Sequence, residues 1–168
     1  MMGGGEGETV HEPNDDPNEV LSTFRPETVA ERAVLAIARE AVAHEGRVGR
    51  RTHASALYVA SPAGTVTVEA VGTTPEGLVR FVGQLHSRAA AAVVVAPEAV
   101  AVAFAVKPTR DLRTVERNIG ANIARGLSLA RTERKKARKD AKQHRRAAKM
   151  LKAATKNTKK AKKAAKSD

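Results

Sequence analysis

The last forty residues, 129–168, constrain the fold most, because almost nothing in them could build a hydrophobic core. This segment holds seventeen lysines and arginines and three acids, Glu133, Asp140 and Asp168, so its formal charge is +14. The whole chain carries +12, and the residues before 129 therefore sum to about −2. The positive charge is thus concentrated at the C-terminal end. A run this basic binds a polyanion or stays solvated and disordered.

A folded domain must therefore come from the rest of the chain. Residues 1–19 carry six acids and no lysine or arginine, a composition typical of a disordered acidic arm. Residues 20–128 are enough for one small domain that buries roughly two-thirds of its surface. We therefore predict an arm at 1–19, a small α+β domain at 20–128, and a Lys/Arg/Ala-rich tail at 129–168 that passes from helix to disorder.

The first half of the domain shows three periodic segments. Apolar residues at helical spacing predict a helix over 26–45, with Val29 on its inner face and Gly46 as its C-terminal stop. Alternating residues predict strands at 55–60 and 65–71, joined by a turn.

The next segment predicts a second helix, over residues 75–89. Thr74-Pro75-Glu76 is a helix-start signature, because the hydroxyl can cap, proline suits the first turn and an acid favours the dipole. The stripe predicted to be buried is Leu78, Phe81, Val82, Leu85 and Ala89.

The apolar run 89–106 is the one segment whose length is near that of a membrane span. Pro97 and Glu98 lie at its centre and the residues after them alternate, so a second hairpin, with strands at 92–96 and 99–106, is the favoured interpretation. A third helix then begins near Asp111 and continues into the tail, with helix-prone chain to 154 and disorder after Thr155.

These segments predict an α+β fold class. The expected architecture is a small antiparallel sheet of two hairpins with helices in the order helix–hairpin–helix–hairpin–helix, plus a basic helical C-terminal tail.

Signatures of catalysis are missing from the sequence. It has no nucleophile elbow, zinc-protease motif or phosphate-binding loop, and its five histidines never take a close metal-ligand spacing. Without cysteine there is neither a thiol nucleophile nor a thiolate ligand, which also fits a cytoplasmic protein. We therefore expect a non-enzymatic protein without catalytic residues, metal or cofactor.

The tail predicts contacts with the phosphate backbone of DNA or RNA. Twelve of the thirteen lysines lie at position 135 or beyond, and lysine is a flexible point charge suited to non-specific phosphate contact. The predicted nucleic-acid-binding residues are Arg131, Arg134, Lys135, Lys136, Arg138, Lys139, Lys142, Arg145, Arg146, Lys149, Lys152, Lys159, Lys160, Lys162 and Lys163. Arg50, Arg51 and His53 form a secondary candidate for anion binding.

In composition, the Ala/Lys stretch after Ala147 resembles the tails of linker histones and of some bacterial nucleoid-associated proteins. The resemblance covers about twenty residues and carries no motif. The resemblance does not extend to the folded part. Separately, the tail has only Gln143 and Asn157 as amide side chains and no aromatic residue, which argues for backbone binding without sequence preference.

The leading hypothesis is a nucleic-acid-binding accessory protein that contacts the backbone non-specifically through its tail. The alternative is a structural or assembly protein, for example of a phage or mobile element, whose tail docks an acidic partner. A third is weak electrostatic binding to anionic membrane without a transmembrane segment. Because small interior side chains each bury little area, we also consider a homo-oligomer, in which self-association adds stability.

Overall fold

The computed structural model of the protein describes residues 16–48 and 52–164, with side chains described as far as Asn157. The protein is α+β and contains a five-stranded antiparallel sheet. In chain order its elements are α1 (Pro17–Thr23), α2 (Val29–Arg47), β1 (His53–Ser61), β2 (Gly64–Thr73), β3 (Val79–Leu85), β4 (Ala90–Val95), β5 (Val102–Pro108), α3 (Thr114–Arg117) and α4 (Ile119–Ala164). Contacts divide the chain into two units, Met1–Ser128 and Leu129–Asp168.

The sheet has the strand order β4-β3-β2-β1-β5. Four consecutive strands form a meander, and β5 pairs with β1 at the other end of it, where Leu57 lies opposite Phe104. Because side chains alternate across a strand, one face of the sheet collects the buried residues. That face carries Leu57, Val59, Val66, Val68, Val71, Val79 and Phe81, and we call it the core face.

Helix α2 covers the core face and contacts β1, β2 and β3. It begins with a capping box, in which Thr28 accepts the amide proton of Glu31 and the Glu31 carboxylate accepts that of Thr28. Its buried residues include Ala30, Val34, Ala38 and Ala41, at helical spacing. Helix α1 packs on α2 and, with the neighbouring Phe24, adds to the same core.

The first turns of α4 complete the core with Ile119, Ile123 and Leu127. The amide of Gly120 donates a hydrogen bond of 2.8 Å to Glu45 Oε1 at the end of α2. A Cβ at Gly120 would lie 2.8 Å from Val42 Cγ2, so the two helices approach closely because this residue has no side chain.

The helix predicted over 75–89 is wrong, because residues 79–85 form strand β3 between β2 and β4. The Thr74 hydroxyl does accept the amide proton of Leu78, but in a tight turn in which Gly77 takes a φ of 81°. The same hydroxyl lowers the pKa of Glu76. The apolar residues also alternate in this segment, and Val79 and Phe81 are fully buried. The sequence Thr74-Pro75-Glu76, which resembles a helix start, thus belongs to the turn between β2 and β3.

The second predicted hairpin is also wrong, although both of its strands exist. β4 pairs with β3 and β5 with β1, so the two strands lie at opposite ends of the sheet. Residues 96–101 connect them, with a single turn of 3-10 helix at Pro97–Ala99 near α2 and Val100 packed against the core. Local spacing could not reveal this, because the partner of β5 precedes it by about fifty residues.

Three predicted boundaries shift. Residues 17–19, which were predicted to belong to the acidic arm, instead start α1, which Asp16 caps and Val20 and Leu21 anchor in the core. The rest of the predicted arm, residues 1–15, lies outside the described residues. The first long helix starts at Val29 rather than at 26, and Val29 is half exposed rather than internal. At the other end, α4 continues to Ala164 rather than ending near 154, since Ala and Lys favour helix and no breaker intervenes.

A single substitution distinguishes strand β3 from the helix that was predicted over residues 75–89. A Cβ at Gly83 would collide with the backbone carbonyl of Thr67 and lie 2.9 Å from Val68 Cα. We expect Gly83→Ala to lower the free energy of unfolding by about 3 kcal/mol in urea denaturation. The control is Gly72→Ala in β2, where a Cβ would meet nothing within 4 Å. In an exposed helix Gly83→Ala would instead stabilise by about 0.5–1 kcal/mol, an outcome that contradicts β3.

Candidate nucleic-acid interface

The second unit is an exposed stretch of one helix. From Leu129 to Asn157 no side chain is buried, and the backbone remains helical to Ala164. The 36 residues from Leu129 to Ala164 span about 54 Å at the rise of an α-helix. The large apolar side chains among them are exposed too, with Leu129 at 59%, Met150 at 74% and Leu151 at 71%. This helix surface is therefore available to solvent or to a ligand.

The cations of this helix are concentrated on one side. Eight of them follow one another at intervals of three or four residues, the spacing that places side chains on one face. At 100° per residue they occupy a sector of about 80°. We call this set the basic stripe, and it consists of Arg131, Arg134, Arg138, Lys142, Arg145, Lys149, Lys152 and Lys156.

The opposite side of the helix carries both acids of residues 129–157. Glu133 and Asp140 lie roughly opposite the basic stripe, as does Ala147. Of the other cations with described side chains, Lys135, Lys139 and Arg146 border the stripe, while Lys136 lies near the acids. The helix therefore presents one strongly cationic face rather than a uniform shell of charge.

The predicted nucleic-acid-binding residues differ in where the structure places them. Those from Arg131 to Lys152 all lie on α4, and seven of them join the basic stripe. Lys156 completes the stripe and was missed by the prediction, although its spacing from Lys152 could have identified it. The side chains of Lys159, Lys160, Lys162 and Lys163 lie outside the described part of the helix.

The secondary anion-binding candidate is described in part. Arg50 and Arg51 lie outside the described residues. His53 is exposed, its Nδ1 lies 2.9 Å from the Thr52 hydroxyl, and it lines an open groove of about 570 Å³. The groove wall includes Glu45 and Arg117, so both signs of charge face it. Among the residues that the structure describes, this groove therefore carries both signs of charge.

Two polar clusters in the first unit were not predicted. On the core side, His44 Nδ1 lies 2.7 Å from the Ser55 hydroxyl, and the His44 ring stacks on Phe104 with centroids 5.4 Å apart. Ser55 is fully buried, so this pair joins α2 to β1 inside the domain. This hydrogen bond links the C-terminal half of α2 to the first half of β1.

The second cluster lies on the face of the sheet opposite the core. Glu69 alternates with the buried Val68 and pairs with Arg113, which also binds Glu116. Nearby, the Lys107 ammonium lies 5.1 Å from the centre of the Tyr58 ring. The Tyr58 side chain is the main cause that raises the pKa of Lys107. Arg113 and its two carboxylate partners hold the segment before α4 against β1 and β2.

Comparisons with family models, with curated proteins and with solved structures find no match to this chain. Within the described residues, no helix combines the length and the apolar character that crossing a bilayer needs. The same part of the chain contains no group of three or more His, Asp or Glu side chains placed to hold a metal ion.

Proposed function

We propose that the protein binds the phosphate backbone of DNA or RNA through the basic stripe of α4, without sequence preference and without catalysis. The observation that carries this proposal is the one-sided arrangement of the cations. Eight charges over 26 residues span about 38 Å of helix, or about one charge per 5 Å. One strand of duplex DNA presents a phosphate about every 3.4 Å, so such a face can meet several phosphates at once.

The energetics of the helix favour a polyanion over plain solvation. Cations spaced three or four residues apart destabilise a helix by about 0.2–0.5 kcal/mol per pair at low salt. The stripe contains seven such consecutive pairs, whereas an extension that merely improved solubility would gain stability by interleaving acids. A bound phosphate backbone removes this repulsion and releases its own counterions. A helix with this arrangement of charges is therefore most stable when a polyanion is bound.

The side chains around the stripe favour backbone contact over base reading. Specific contacts to base edges use Arg, Asn and Gln, and single strands stack on aromatic rings. Between Leu129 and Asn157 the helix contains one glutamine, Gln143, one asparagine, Asn157, and no aromatic residue. Four of the eight stripe residues are lysines, which act as point charges, and the four arginines have few amide side chains beside them with which to read bases. The helix is therefore better suited to track a backbone than a sequence.

Binding to a short duplex should depend steeply on salt. With roughly 6–10 phosphate contacts, affinity should fall about 10³–10⁵-fold between 50 and 200 mM salt, because bound cations displace condensed counterions. Fluorescence anisotropy with the full chain and duplexes of two unrelated sequences measures this fall. Equal curves for both sequences are expected. A flat salt response would contradict the proposal.

Position on the helix, and not net charge alone, should decide affinity. The stripe variant Lys142→Gln, Arg145→Gln, Lys149→Gln, Lys152→Gln should lower the salt slope by about 3–4 and weaken binding by at least about 100-fold at 50 mM salt. The control neutralises the same residue types off the stripe.

That control is the variant Lys135→Gln, Lys136→Gln, Lys139→Gln, Arg146→Gln, which also removes three lysines and one arginine. It should retain most of the salt slope. Equal losses in the two variants would show that the helix acts through total charge, and the stripe would then have no role of its own.

The helix should also gain stability from its ligand. In low salt, adding excess duplex should increase the helical signal in circular dichroism and raise the temperature at which α4 melts, because phosphates relieve the repulsion along the stripe. The stripe variant should start with more helix and gain less. A signal that falls on binding would contradict the proposed role of the helix.

A further inference from the structure

Strand β4 leaves one edge of the sheet open. It is the terminal strand of the order β4-β3-β2-β1-β5 and pairs with β3 on one side. Outside that ladder, no backbone hydrogen bond of the described residues involves residues 90–95. Every second residue of β4 therefore points an amide and a carbonyl outward, which is a template for another strand.

The two ends of the sheet differ in how they are protected. β5, at the other end, finishes with Lys107 and Pro108, and a lysine and a proline are the residues by which natural edge strands block pairing. β4 has the sequence AAAVVV, without charge, proline or bulge. A bare edge of this kind favours pairing at β4 and not at β5.

The residues of β4 are also less buried than those of the neighbouring strands. Val66, Val68, Val79 and Phe81 of the core face are fully buried, but Ala91, Val93 and Val95 of β4 are only partly buried although they face the same way. On the other face Val94 is 48% exposed. A strand added beside β4 would extend both faces and cover these residues.

We propose that β4 pairs with β4 of a second copy of this chain, antiparallel and about a two-fold axis at Val93. In that register Val93 lies opposite itself and Ala92 lies opposite Val94, so core-face residues meet core-face residues. Arg88 of each copy then comes to the level of Glu98 of the other. Both residues are exposed and flank the strand at opposite ends.

Self-pairing is favoured over a different partner by this complementarity. The register joins two apolar strands of equal length and places an opposite charge at both ends of the joint, twice by symmetry. An unrelated strand would need its own matching charges. The paired sheet would contain ten strands, five from each copy.

Sedimentation equilibrium tests this pairing, in high salt and after nuclease treatment so that nucleic acid cannot link the copies. At about 100 µM the full chain should sediment at twice its mass of 17.8 kDa. Val94→Lys should give the monomer mass, because it adds two like charges about 7–8 Å apart across the joint. The matched control is Ala103→Lys, which adds the same charge to the same sheet face on β5 and should remain dimeric.

A charge exchange tests the register and does not depend on a lysine within the strand. Arg88→Glu and Glu98→Arg should each weaken the dimer about 5- to 10-fold, and the double variant should restore it. Thermal melts of each variant confirm that the domain is folded. A monomeric wild-type chain, a Val94→Lys variant that stays dimeric, or a double variant without recovery would each overturn the proposal.

Discussion

The fold depends on the burial of a sheet face made mostly of valine beneath helices that combine aliphatic side chains with alanine and glycine at close contacts. With four aromatic residues in the whole chain, the core gains little area from each residue. Close approach compensates for this. Ala38 and Ala41 of α2 are fully buried, and Gly120 brings α4 against α2 where a methyl group would collide with Val42. Within the sheet, Gly83 lies so near the Thr67 carbonyl that no side chain fits.

This dependence on close approach explains which parts of the fold could be predicted. The fold class, the first hairpin and the long α2 follow from local periodicity, and the structure has them within a few residues. It was harder to predict that β3 is a strand, because Thr74-Pro75-Glu76 satisfies the rules for a helix start as well as those for a turn. What decides between them is the pairing of Val71 with Phe81, a tertiary contact.

The topology was the least predictable part. The pairing of β5 with β1 joins residues about fifty positions apart, and nothing local specifies it. The candidate interface presents the opposite case. Composition predicted which residues carry the charge, and helical spacing alone, once the helix is present, sorts them into the basic stripe. The polar pair of His44 with Ser55 and the ion pair of Arg113 with Glu69 depend on the folded sheet, and no spacing in the sequence could have revealed them.

The two proposals reinforce each other through avidity. A single helix of point charges binds a backbone weakly near physiological salt, because each contact loses much of its counterion release as salt rises. A dimer through β4 would carry two basic stripes on one molecule, so the second stripe would bind at an effective concentration set by the assembly and not by the solution. Two modest contacts would then act as one strong contact. Because its core residues bury little area each, the protein would in this way gain both stability and affinity from self-association.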